Sequence, residues 1–148
     1  MASILLLDFD GVLHPDPPNA QSPLWSRSEL LQQWLDGHAD IDVVVSSTWR
    51  NTRTFAQLQS LLPQALASRT IGVTPKIQEE GYTRQLECES WMRQHRKPWD
   101  HWIALDDRSW NFRPFEKRLV LTDPKTGLVA GDIERLDEAL RFINHQSK

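Results

Sequence analysis

The chain has 148 residues, 39% hydrophobic and 25% charged, enough for a single domain over residues 1–148 with a real core; a disordered or fibrous chain is excluded. A net charge of −3 gives no global basic field to gather nucleic acid, although a local basic patch remains allowed. The one cysteine, Cys88, excludes an internal disulfide framework and a Cys-based zinc site; no disulfide-linked partner is expected, and no stretch is long enough for a membrane span.

The N-terminus is apolar but has no basic region, and Asp8 and Asp10 interrupt it before a signal-peptide core is complete, so a cytoplasmic location is expected. Its run Ile4-Leu5-Leu6-Leu7 predicts a strand buried on both faces, hence central in a parallel sheet. Asp8 then lies at the carboxyl end of that strand and Asp10 in the following turn, where Gly11 lets the chain turn sharply. Pro15, Pro17, Pro18 and Pro23 make residues 14–23 a loop over the strand ends. Leu30, Leu31, Trp34 and Leu35 recur at helical spacing and predict a helix over 26–37, with Gly37 at its C-cap. A β-branched run over 41–47 predicts a second buried strand, and 48–51 its exit loop. A helix over 52–62 ends before Pro63, and a short third strand covers 69–73. After a loop over 74–82, a helix over 83–95 takes Thr83 as its N-cap. Strands over 102–107 and 118–122 and an amphipathic helix over 132–145 complete the chain. Strands alternating with helices predict an α/β, Rossmann-like three-layer sandwich around a parallel sheet of about five strands.

In such sheets ligands bind beyond the carboxyl ends of the strands. Asp106-Asp107 repeats the pattern of Asp8 and Asp10, an apolar strand running into carboxylates, and two such strands side by side would gather acidic groups at one sheet edge. Carboxylates brought together repel; a hard cation with oxygen ligands, Mg2+ above all, relieves the repulsion. Ser46, Ser47 and Thr48 end the second strand, where hydroxyls and backbone N–H groups can hold phosphate oxygens.

These residues resemble the motifs of the haloacid dehalogenase-like hydrolase superfamily. Asp8-Phe9-Asp10-Gly11-Val12 resembles its first motif, Ser46 or Ser47 its second and Asp106-Asp107 its fourth. The third, a cation ahead of the acidic pair, is either Lys76 or Arg84; Arg84 is favoured by its place in the first turn of a helix, although Lys is commoner there. Ser-Ser-Thr-Trp-Arg over 46–50 and Arg84-xx-Glu87 resemble the small phosphatase-like domains of RNA-repair proteins, including the phosphatase half of polynucleotide kinases.

The resemblance implies a Mg2+-dependent phosphatase. Asp8 would attack phosphorus and form an aspartyl-phosphate, and Asp10 would act as general acid and then general base. Arg84 would neutralise developing charge, with Lys76 its competitor for that place. Asp8, the Asp10 backbone carbonyl and Asp106 or Asp107 would hold the metal. Superfamily members usually add a cap domain after the first motif or between the second and third. Neither gap is long enough for a full one, so the site should be open to a large substrate: a phosphorylated small molecule, a nucleotide or a nucleic-acid end. The competing reading is a binding or regulatory module that keeps the fold without turnover.

Trp34 and Trp91 read as core. Trp25, Trp49 and Trp110 flank the motif loops, where they either stack on bases or wall the site. Arg50 and Arg108 directly follow the second and fourth motifs and are candidates for further phosphate contacts, and His14 lies close to the nucleophile in sequence.

Overall fold

A computed structural model describes residues 3–146. The apolar run after the N-terminus forms β1 (Ser3–Leu7), and every one of its residues is buried. Leu5, Leu6 and Leu7 are wholly hidden from solvent, each worth about 2 kcal/mol of burial. Such a strand is stable only with neighbours on both edges and layers on both faces. It has them: β2 (Ile41–Val45) on one side, β4 (His101–Asp106) on the other, then β3 (Thr70–Val73) and β5 (Leu119–Leu121) outside. The order is β3-β2-β1-β4-β5, and all four pairings are parallel.

Residues alternate between the faces. Leu5, Leu7, Val43, Val45, Ile103 and Leu105 point to the larger core, which is completed by α1 (Ser28–Asp36), α2 (Phe55–Leu61), α3 (Gln64–Ala67) and α5 (Ala130–Gln146). Ile4, Leu6, Val44, Trp102 and Ala104 point to the other face, against Cys88, Trp91 and Met92 of α4 (Thr83–His95). Trp34 and Trp91 are core residues, and Trp34 also donates its indole N–H to Asp137 at 2.8 Å. Residues 8–40 hold a loop and α1, and residues 48–82 a 3-10 turn, α2, α3, β3 and a loop, so neither connection carries a cap domain. No helix among the described residues is long and apolar enough to cross a membrane.

Helix starts depart from expectation for local reasons. The helix expected over 52–62 begins at Phe55, because Thr54 caps it: Gln57 N–H donates to the Thr54 hydroxyl and Thr54 N–H to the Gln57 side chain. Residues 48–51 form a 3-10 turn ahead of it, and α3 is an additional short helix after Pro63. Tyr82, not Thr83, occupies the cap of α4; the Thr83 hydroxyl donates to the Glu79 carbonyl instead.

Candidate active site

The parallel register builds the site. Leu6 pairs with Val44 and with Ala104, and Val44 with Gly72, all on the α4 face. The ladder runs on past the strand ends: Asp8 N–H donates to Leu105, Ser46 N–H to Leu7 and Thr74 N–H to Val45. Two residues further along each strand the side chains return to the same face. Asp106, Asp8, Ser46 and Thr74 therefore stand in one row at the carboxyl edge of the sheet, under the first turn of α4.

Arg84 enters from that turn. Its guanidinium donates to Asp106 at 3.1 Å and lies 3.7 Å from Asp8. Asp107 closes the group, with ligand oxygens of Asp8, Asp106 and Asp107 all within 4.8 Å of one another. Gly11 makes room for this. At φ +78° it takes a conformation that side chains rarely adopt, and a Cβ there would stand 2.3 Å from an Asp107 carboxylate oxygen.

Three carboxylates face one arginine, and the imbalance shows in the protonation of Asp8 and Asp106. Burial, then the charge of Asp106, raises the Asp8 pKa well above the usual carboxylate range, against the pull of Arg84. Asp106 is pushed up to about 6 by burial, again against Arg84. The Asp107 Oδ1 is buried without a hydrogen-bond partner. An oxygen-only donor set, an orphaned carboxylate oxygen and mutual repulsion together fit a hard divalent cation.

A family model described as the HAD domain in Swiss Army Knife RNA repair proteins matches residues 4–133. The chain belongs to that family. No curated protein and no solved structure matches it. HAD domains are hydrolases, generally of phosphatase type, and usually work with a divalent metal; the Asp8, Asp106 and Asp107 group is a place in this HAD domain able to hold one.

The remaining candidates divide sharply. Arg84 is buried in the row, whereas Lys76 is exposed at the mouth of the cleft. That cleft is lined by Thr48, Lys76, Arg84, Arg108 and Asn111. Trp110, 67% exposed, sits beside it in sequence. Ser46 and Ser47 are both buried, and the Ser47 hydroxyl accepts from Trp49 N–H to cap the 3-10 turn.

Arg50, expected to contact phosphate, does otherwise. Its guanidinium pairs with Glu87 at 2.6 Å and donates to the carbonyls of Ser46, Ser47, Thr74 and Pro75. It ties the ends of β2 and β3 together and has no capacity left for a ligand. Asp10, grouped with the metal ligands from sequence, keeps its carboxylate outside the acidic group: one oxygen accepts from His14 Nε2 at 2.8 Å and the other from Trp49 Nε1 at 3.0 Å. Only its backbone carbonyl is left for that role. Trp25 and Trp49 pack edge-on around Phe9 and His14 and wall this side of the site.

Sequence reasoning missed Thr74, and it quoted Glu87 only within a family resemblance, without a role. Thr74 ends its strand with a buried hydroxyl that has no partner, and nothing but its position before Pro75 pointed to it. Glu87 stands one helical turn after Arg84; it approaches the Arg84 Nε at 3.5 Å and accepts from Ile77 N–H, fixing the arginine from behind.

Proposed function

We propose that this HAD domain is a Mg2+-dependent phosphomonoesterase that works through an aspartyl-phosphate on Asp8. The observation that carries the reading is the meeting of Asp8, Asp106 and Asp107 with Arg84 at the carboxyl ends of adjacent strands. A divalent cation held by Asp8, the Asp10 backbone carbonyl and Asp106 or Asp107 would offset the charge of a substrate phosphate. Asp8 supplies the attacking oxygen, and Arg84 steadies Asp8 and the transferring oxygens. Asp10 gives its proton to the leaving oxygen and then takes one from the water that releases phosphate from Asp8. Ser46, with Thr48 and the orphaned Thr74 hydroxyl, is placed to bind a phosphate oxygen.

Lys76 and Arg108 are exposed cations in the lining of the same cleft. With Trp110 beside them they suit a substrate that carries further phosphates and bases. A nucleic-acid end or nucleotide is therefore the substrate class we favour, in keeping with a family described from RNA-repair proteins. A cytoplasmic location belongs to the same reading.

Phosphate release from nucleotides, sugar phosphates and 3′- or 5′-phosphorylated oligonucleotides, with and without Mg2+, tests it. Metal-dependent release that disappears in Asp8→Asn is the expected result. Release from none of them would leave a binding module in its place.

A further inference from the structure

Asp10 is gripped on both of its carboxyl oxygens. His14 is wholly buried, and its Nε2 lies 2.8 Å from Asp10 Oδ1. On the far side of the ring, the Trp25 backbone N–H points at Nδ1 at 3.4 Å. An N–H can only donate, so Nδ1 accepts and the ring proton sits on Nε2, aimed at Asp10. Trp49 donates its indole N–H to Asp10 Oδ2 at 3.0 Å.

The surroundings hold these donors in place. Phe9, His14, Trp25 and Trp49 form a ring cluster with centroids 5.2–6.2 Å apart. Trp25 has φ 65°, a left-handed conformation that a bulky residue rarely adopts. That strained backbone is what turns its N–H toward His14. Asp10 itself is not buried, since its side chain is 38% exposed, so the clamp does not serve to satisfy a hidden carboxylate.

We propose that Trp49 and His14 are positioning residues that fix the Asp10 carboxyl for proton transfer, and that this clamp gives the HAD domain its reach toward poor leaving groups. The inference rests on the phosphatase reading above. In the first step the Asp8 oxygen bonds to phosphorus while the P–O bond to the leaving group breaks. The electron pair of that bond stays on the leaving oxygen, which takes the proton that the Asp10 carboxyl carries on a lone pair its two clamping N–H donors leave free. An aryl oxygen departs readily without that proton; an alkyl or ribose oxygen does not. Misaligning the acid therefore penalises alkyl phosphates selectively, and general acid catalysis contributes about 100- to 10,000-fold where it is needed.

The test is kcat/KM, which reports steps up to the breaking of the P–O bond, measured with Mg2+ over a series of aryl and alkyl phosphates. Trp49→Phe keeps an aromatic ring in the cluster and removes the N–H donor. We expect it to raise the aryl-to-alkyl ratio about 10-fold. His14→Asn should do likewise, and His14→Gln, whose amide reaches the place of Nε2, should restore the ratio. Equal losses across the series, or no change in Trp49→Phe, would overturn the clamp while leaving the phosphatase intact. A wild-type protein that releases no phosphate from any of these substrates overturns the phosphatase reading and the clamp with it. Nitrogen NMR of the histidines gives a readout free of turnover: His14 should carry its proton on Nε2, and a proton on Nδ1 would overturn the clamp.

Discussion

Two buried charge groups lie within a few residues of each other and are finished to different degrees. Arg50 and Glu87 form a closed group: Arg50 reaches four carbonyls and one carboxylate, and Glu87 takes two arginines and a backbone N–H. Asp8, Asp106 and Asp107 form an open one, with more carboxylates than cations and an oxygen that has no partner. The closed group has the form of scaffold. The open group is the costly one to fold, and perturbed, unpaired carboxylates of this kind cluster at functional sites.

Removing a member should therefore act in opposite ways. Asp8→Asn is expected to lower phosphate release at least about 1,000-fold, since it deletes the nucleophile. It should leave the melting temperature of the metal-free protein unchanged or higher, because a repelling carboxylate has gone. A variant that lost activity only by unfolding would dissolve the contrast. Glu87→Ala is the reverse case. It strands Arg50 and leaves Arg84 less well held, and should cost about 3–5 kcal/mol in chemical denaturation. Arg50→Met combined with Glu87→Leu should not recover that loss, because the carbonyls of Ser46, Ser47, Thr74 and Pro75 then lose their donor.

The acidity of Asp106 sharpens the comparison. Its pKa is about 6 in the folded protein against 3.8 for the free group, so the folded state holds the proton more tightly. Stability from this source is fully present below pH 4 and is lost as pH rises through 6; Asp8 is shifted in the same direction. Glu89 and Glu116 are shifted downward, so their contribution is lost only at lower pH and stays level between pH 5 and 7. Of the roughly 3 kcal/mol that this shift is worth in all, the metal-free protein should lose about 2 kcal/mol by pH 5 and about 1 kcal/mol between pH 5 and 7, and Asp106→Asn should flatten that slope. Under the proposed function Mg2+ would bind the ionised carboxylates, so it should raise the melting temperature more at pH 7 than at pH 5. A melting temperature indifferent to Mg2+ at both pH values would close the open group without a metal.

What could be read from sequence follows the same division. Apolar runs ending in Asp8-Phe9-Asp10 and Asp106-Asp107 marked the central strands and the acidic edge, because a buried parallel strand and its carboxyl end are both local patterns. The choice between Lys76 and Arg84 needed the helix to be placed: one is exposed at the rim and the other is buried against Asp106. The role of Arg50 was out of reach, because Thr74, Pro75 and Glu87, which join Ser46 and Ser47 around it, lie just past β3 and in α4, far along the chain. His14 stayed a weak candidate for the same reason, since its use depends on Trp25 and Asp10 meeting in space. The start of α2 was legible, as Thr54-xx-Gln57 is a capping box, and the hydrophobic spacing alone carried the expectation past it.

The smallest effect separates committed cations from free ones. Arg50 and Lys76 line the same cleft, yet Arg50 is fixed to the protein and Lys76 is exposed. Lys76→Ala and Arg108→Ala should each raise KM severalfold for a phosphorylated oligonucleotide, about 1 kcal/mol, and leave a small aryl phosphate almost untouched. The oligonucleotide KM should also rise steeply with added salt, more so in the wild type than in either variant. Equal effects on both substrates would place these side chains at the reacting phosphate, beside Arg84. No effect on either would make them ordinary surface charge and would remove the best reason for preferring a nucleic-acid end over a small phosphate ester.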